Sequence, residues 1–272
     1  MAGVSTESLK KVEQVLAGHL AINPEHLAQE LFAVVDVLDA NGGLRRGLTD
    51  SSRSAENREG LTVAVFTGKI SESALTVLKA ATSLRWSQER DLADALETAA
   101  VEAAAFAAET REGVQGLETV INELLTFINS VNDSAEAQVA LTDQRASAQA
   151  KKKLALAMGG NPATSEGTLL IERVATAPRG ASPARLAEKF VENIVDRQNR
   201  SIARVSTARP LTESQIEKLR AGLSRAYGKE LKLDISVDSS LIGGLRVQVG
   251  DEIMDGTVQS RLAQLDRTIA QR

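Results

Sequence analysis

His19 and His26 are the only histidines in this sequence, and there is no cysteine. With Asn23-Pro24 between them, the two imidazoles lack the one-turn spacing of an HExxH zinc site. They read as surface or core histidines. The missing cysteine removes disulfides, thiolate nucleophiles and thiolate metal sites together, and agrees with a reducing, cytoplasmic setting. The run AMGGNPATS, Ala157 to Ser165, is glycine-rich but lacks the Lys-Ser/Thr of a phosphate-cradling loop, so it reads as a connection between helices. GDEIMDG, Gly250 to Gly256, offers carboxylates to calcium without EF-hand spacing or its closing Glu, and Asp is common in turns for its own hydrogen-bonding reasons. LIGGLRV, from Leu241, does not match the dinucleotide fingerprint GxGxxG. Carboxylates are plentiful, but none stands in a recognisable acid/base pair. These residues predict no catalytic site, no cofactor and no metal.

The elements that would position any site must therefore carry the function. The chain has 272 residues, 43% apolar and 25% charged, ordinary values for a globular protein with a sizeable core. Aromatics are only 3%, with one Trp and one Tyr. Cores built from Leu, Val, Ile and Ala favour helical packing. A net charge of -4 argues against nucleic-acid binding, and the densest basic run, Lys151 to Lys153, reads as a solvated helix face. Leu9, Val12, Leu16 and Leu20 follow helical spacing, but polar residues interrupt them, and no stretch approaches the ~18 apolar residues of a bilayer span. No bilayer insertion is expected.

An internal repeat organises the first two-thirds. Leu31–Leu61 aligns without gaps on Leu124–Leu154, placing Leu48-Thr49-Asp50 on Leu141-Thr142-Asp143 and Val35 on Ile128. After a one-residue slip, Ser71-Glu72 falls on Ser165-Glu166, Arg85 on Arg179 and Leu92 on Leu186. Leu/Ala-rich helices match one another cheaply, yet agreement at polar and turn positions favours duplication. Each copy reads as a small helical bundle. Leu117, Val120, Ile121, Leu124, Ile128 and Val131 form one apolar stripe that stops at Asn132. Ser182 and Pro183 open another helix, with Leu186, Phe190 and Ile194 facing inward. Gly113 and Gly116 mark the expected seam after a long Ala-rich stretch.

From Ile202 the texture changes. A β-branched run ends at Pro210, and LTESQI then forms a capping box, with Thr212 as N-cap, Gln215 reaching back and Leu211 set against Ile216. Ile216, Leu219, Leu223 and Tyr227 line the buried side of the helix, which Gly228 can end. Leu231, Leu233, Ile235 and Val237 alternate as one face of a strand. Leu245, Val247 and Val249 form a second, Gly250-Asp251 turns, and Glu252 to Met254 returns. Gly243 and Gly244 permit positive φ or a close backbone approach. Asp255-Gly256 turns again, and Val258, Leu262, Leu265 and Ile269 recur on a final helix. The expected fold is α+β, a mainly α-helical bundle region of two repeated units (1–104 and 105–201) followed by a small C-terminal α/β domain (202–272) with a short sheet and terminal helix.

This C-terminal third resembles the delta subunit of F-type ATP synthase, the oligomycin-sensitivity-conferring protein family. The signature reads here as Ser240-Leu241-Ile242-Gly243-Gly244, Val247, Val249-Gly250-Asp251, Asp255-Gly256-Thr257 and Arg261-Leu262, with Thr257 in place of the family's Ser. VSTARPLTESQ is similar to the family's entry into the same region. The helical part resembles the family's six-helix domain more loosely, and the chain is longer by about one repeat.

The resemblance implies a non-catalytic stator. The helical bundle would hold alpha subunits of the catalytic head through their amphipathic N-terminal segments, and the C-terminal domain would receive the b subunit of the peripheral stalk. Such a link keeps the head still while the rotor turns, as a peripheral part of the complex at the cytoplasmic face of the plasma membrane. A helical-repeat adaptor of another complex would explain the bundles without the hairpin, and an enzyme would need a polar pocket with perturbed acids or bases.

Overall fold

The computed structural model describes residues 3–227, 231–238, 241, 243–249 and 252–256, the side chains of 199–201 and 232 excepted. It divides into two compact units, Met1–Ile194 and Val195–Arg272. The first holds α1 (Gly3–Ala17), α2 (Pro24–Ala40), α3 (Gly42–Thr49), α4 (Ala55–Phe66), α5 (Glu72–Ser83), α6 (Glu89–Glu112), α7 (Val114–Asn132), α8 (Ala135–Thr142), α9 (Ala148–Met158) and α10 (Ser165–Thr176). Helix α11 (Pro183–Ser201) runs through the division between the units, which falls at Ile194/Val195, before the boundary expected at 201/202.

Short polar side chains start these helices. Ser54, Ser71, Ser134, Ser147 and Thr164 each accept a backbone N–H from the third residue on, satisfying a donor that the first turn would otherwise leave bare. Ser182 does the same for α11, whose Leu186, Phe190 and Ile194 are buried. The Ala-rich stretch is a single 24-residue helix, α6, closed by Gly113 at φ 62. Next to it α7 begins at once, and Gly116 is what lets the two helices cross so closely. A Cβ there would stand 2.2 Å from the Ala108 carbonyl oxygen.

One hydrophobic core runs from Val12 to Ile194. The boundary expected at 104/105 falls inside α6, where Ala103, Ala104, Ala105 and Ala108 are all buried in that common core. The physical reason is the size of alanine. Small side chains let one central helix be packed on nearly every side, so both bundles share it instead of closing separately.

The repeat is visible in local geometry. Thr49 and Thr142 each donate a hydroxyl to a carbonyl one turn back, and Asp50 and Asp143 each accept the backbone N–H two residues on. The gapless register that sets Ser54 on Ser147 also sets Ser71 on Thr164, both N-caps. The one-residue slip expected before Ser71 therefore lies later. It falls in the connection from α10 to α11, longer by one residue than that from α5 to α6.

The second unit holds β1 (Ile202–Thr207), α12 (Glu213–Tyr227), β2 (Lys232–Val237), β3 (Leu245–Val249) and β4 (Glu252–Asp255). The sheet order is β2-β1-β3-β4. Strands β1 and β2 are parallel, which requires the α12 crossover, and the other pairs are antiparallel. Thr212 and Gln215 form the expected capping box, each side chain bonding the other's backbone N–H, at 3.4 and 2.9 Å. Ala203, Val205, Leu223, Leu231, Val247 and Val249 make the core, with Leu219, Tyr227, Leu233 and Ile235 packed on it. Val237 keeps the alternation but is 55% exposed, because it closes edge strand β2 beyond the reach of that core. The expected terminal helix through Val258, Leu262, Leu265 and Ile269, and the helix stop at Gly228, lie outside the described residues.

Candidate binding surfaces

The residues with catalytic potential are scattered. His26 lies one turn before Glu30 on α2, with Nε2 3.3 Å from the carboxylate, and is 55% exposed. Among the described residues no group of three or more His, Cys, Asp or Glu could hold a metal ion. Gly159 to Thr164 forms the connection from α9 to α10, with Gly160 and Asn161 at positive φ.

Of the signature residues, Leu241 is buried and its N–H reaches the Asp238 carbonyl at 3.2 Å, while Asp238 in turn donates to Thr207 at 2.8 Å. Gly244 takes φ 83, the left-handed region, as it delivers the chain into β3. Val249 pairs with Ala203 in the core, and Asp255 faces Arg246 across β3 and β4 at 3.4 Å. Gly256 donates its N–H to Leu245 at 3.0 Å, and a Cβ there would press that same carbonyl at 3.2 Å. Gly243 lies half-buried in the bend before β3. These residues set turns and register rather than form a reactive cluster. Ile242, Gly250, Asp251 and Arg261 lie outside the described residues.

Sequence reasoning missed the polar joints of the helical unit. Arg58, 4% exposed, donates to the carbonyls of Asp50, Arg53, Thr82, Ser83 and Leu84, tying the end of α5 to the start of α4. Glu97 of α6 is buried among cations. Arg179 stands 3.1 Å from it, Lys189 3.4 Å and Arg173 3.9 Å, the last an ionic contact without a hydrogen bond. Arg179 also holds Asp39 of α2 at 2.5 Å and Asp94 of α6 at 2.8 Å. Burial acts to lower its pKa, but the Asp39 hydrogen bond and the nearby Glu97 and Asp94 charges outweigh this and raise it. Arg173 pairs with Asp36 and lies over the Phe32 ring, 5.0 Å from its centroid. Phe32 itself meets Phe190 of α11 at 6.2 Å between centroids. Helices of both repeats are thus joined at one seam.

A match to the family model described as ATP synthase delta (OSCP) subunit covers residues 98–269, from within α6 through the second unit. The chain belongs to this family. It is 47% identical over 249 residues to the ATP synthase subunit delta of Kocuria rhizophila, covering 92% of each chain. It is 42% identical over 275 residues to that of Arthrobacter sp. strain FB24, covering 99% of this chain and all of the other. A chain of the Toxoplasma gondii mitochondrial ATP synthase hexamer aligns with TM-score 0.34 and 17% identity, over 62% of this chain and 95% of that one.

Membership makes the chain a stator component of the peripheral stalk of ATP synthase, and the adaptor alternative is not favoured. In this complex the enzymatic activity lies in other subunits. Among the described residues no helix is long and apolar enough to cross a membrane. The family model begins inside the shared helix α6, and the similarity to the Arthrobacter relative, which spans 99% of this chain, takes in α1 to α5 as well.

Proposed function

We propose that the chain is a non-catalytic mechanical link with two grips. The helical unit holds alpha subunits of the catalytic head, and the C-terminal unit holds the b subunit of the stalk, at the cytoplasmic face of the plasma membrane. Held in this way, the head resists the torque of the rotor, and proton flow drives nucleotide release instead of spinning the head. The observation that carries this reading is the family match running across two separately compact units, each with its own hydrophobic core. Two cores allow two independent surfaces, and a standard stable interface needs about 1,600 Å². An amphipathic partner helix laid in a groove is one recognised way to supply it.

The signature residues Leu241, Ile242, Gly243, Gly244, Val249, Gly250, Asp251, Asp255, Gly256 and Arg261 are proposed as the framework of the stalk-binding unit. The two bundles are proposed as copies of one ancestral unit, sharing α6. The test is a three-component mixture of this chain, purified catalytic head and the soluble part of the b subunit. Head and b should co-migrate on size exclusion only when this chain is present. Co-migration without it, or binding of neither partner, would refute the reading.

A further inference from the structure

The seam between the two bundles contains three buried polar atoms whose hydrogen-bonding capacity the chain leaves unused. Arg173 of α10 and Glu97 of α6 are 5% and 2% exposed at their side chains. Arg173 gives Nη1 to Asp36 of α2 and lays its guanidinium over the Phe32 ring, 5.0 Å from the centroid. Glu97 uses Oε2 for Arg179 at 3.1 Å and Lys189 at 3.4 Å. Arg173 Nε and Nη2 and Glu97 Oε1 are left, none with a hydrogen-bond partner among the described residues. Nη2 and Oε1 stand 3.9 Å apart, too far for a direct bond. Buried groups of this polarity are rarely left unpaired.

The three atoms define what would satisfy them. Nε and Nη2 form one edge of the planar guanidinium, so their N–H groups point side by side at a single acceptor. Glu97 Oε1 is a carboxylate oxygen that only accepts, so the same species must also donate. An anion there would meet the Glu97 carboxylate and a metal cation would meet the Arg173 guanidinium, each a like-charge contact with little solvent to screen it. A neutral molecule that both accepts and donates meets both demands, and the smallest is water. On α6 the residues one turn from Glu97 on its own face include Ala93 and Ala100, whose side chains are too short to take that place.

We propose that one internal water bridges Arg173 and Glu97, accepting from Nε–H and Nη2–H and donating to Oε1. Buried waters typically make about three hydrogen bonds, the number these atoms offer. At 3.9 Å, donor and acceptor are both within bonding distance of a molecule set to one side of the line between them. The site is a product of the seam. Under the internal repeat Arg173 falls on Ala80 and Glu97 on Val191, so neither residue has a polar counterpart in the other copy. The water binds where α10 of the second bundle meets α2 and the shared helix α6, and it completes the ionic joint between the copies.

The test is made on the full chain. A crystal structure at a resolution that shows ordered solvent should place one spherical peak within hydrogen-bonding distance of Arg173 Nε, Arg173 Nη2 and Glu97 Oε1. In solution the Arg173 Nε–H should give NOE and ROE cross-peaks of opposite sign at the water frequency, the mark of a molecule that stays longer than the protein takes to tumble. Both readings use the parent alone and stand whether or not a variant folds. Arg173→Lys keeps a cation for Asp36 but lacks the Nε–Nη2 edge, and oxygen-17 relaxation dispersion should count one long-lived water fewer in it than in the parent. A direct bond from Arg173 to Glu97 with no density between them would overturn the proposal. So would a peak that takes on anomalous signal after a bromide soak, or a water count that the substitution leaves unchanged.

Discussion

Glu30 grips Ser71 from two sides, accepting its backbone N–H at 2.7 Å on one carboxylate oxygen and its hydroxyl at 2.5 Å on the other. Glu123 repeats the grip on Thr164, adding the Ala163 N–H at 2.7 Å. In each bundle a carboxylate from a long helix, α2 or α7, thus fixes the start of the helix three places later, α5 or α10. Charge-assisted bonds of this kind contribute about 1.5–3 kcal/mol. Glu123→Ala should therefore lower unfolding free energy by roughly 1.5–3 kcal/mol in urea, and Glu30→Ala by a similar amount. A change under about 0.5 kcal/mol would mean the grip is decorative.

Glu97→Leu removes the one buried carboxylate facing Arg173, Arg179 and Lys189. Both arginines are 5% exposed at the side chain, and although Arg179 keeps Asp39 and Asp94 and Arg173 keeps Asp36, each loses part of its compensation where bulk water cannot replace it. Breaking one partner of a buried ionic cluster costs about 3–5 kcal/mol. Guanidinium unfolding at neutral pH should show a loss of this order, with α2 and the α10–α11 connection losing hydrogen-exchange protection first. Unchanged protection there would show that the apolar contact of Phe32 with Phe190 alone holds the seam.

Much of this architecture could be read from the residues, but not all of it. The capping box at Thr212 and Gln215, the N-cap at Ser182 and the alternation of β3 depend on neighbours a few positions away, and local chemistry fixes them. Val237 shows the limit, since alternation tells which side a residue takes but not whether a core reaches it. Glu97 and Arg58 read in sequence as ordinary charges on helices. Their burial depends on partners from remote helices, brought close only by the fold. The shared role of α6 was hidden because an alanine-rich helix gives no periodic sign that it is packed on nearly every side.

Asp50 and Asp143 should titrate alike. The Ser52 hydroxyl and then its N–H hold the Asp50 carboxyl below its usual range, and the Arg145 side chain and then its N–H do the same for Asp143. Both folded pKa values are depressed, so their contribution is present above the unfolded value near 4 and fades as pH falls through the lower folded values. Carbon-detected NMR should place both midpoints below those of solvated aspartates. Ser52→Ala should move Asp50 upward and leave Asp143 unmoved. Midpoints at ordinary aspartate values would contradict the assignment of these turns.

Gly244→Val puts a β-branched side chain at φ 83. Strain of this kind costs about 1–3 kcal/mol, a large share of what a small unit has. The C-terminal unit should lose its fold and its affinity for the b subunit while helical content in the first unit persists by circular dichroism. Normal b-subunit affinity would show that the bend tolerates the residue.

Proton-driven ATP synthesis in inverted membrane vesicles, stripped of this chain and then resupplied with it, asks the central question most directly. Stripped vesicles should hydrolyse ATP on the released head but synthesise none, and added chain should restore synthesis in proportion to the head it recaptures. Full synthesis by vesicles verified to lack the chain would show that the head is held by something else.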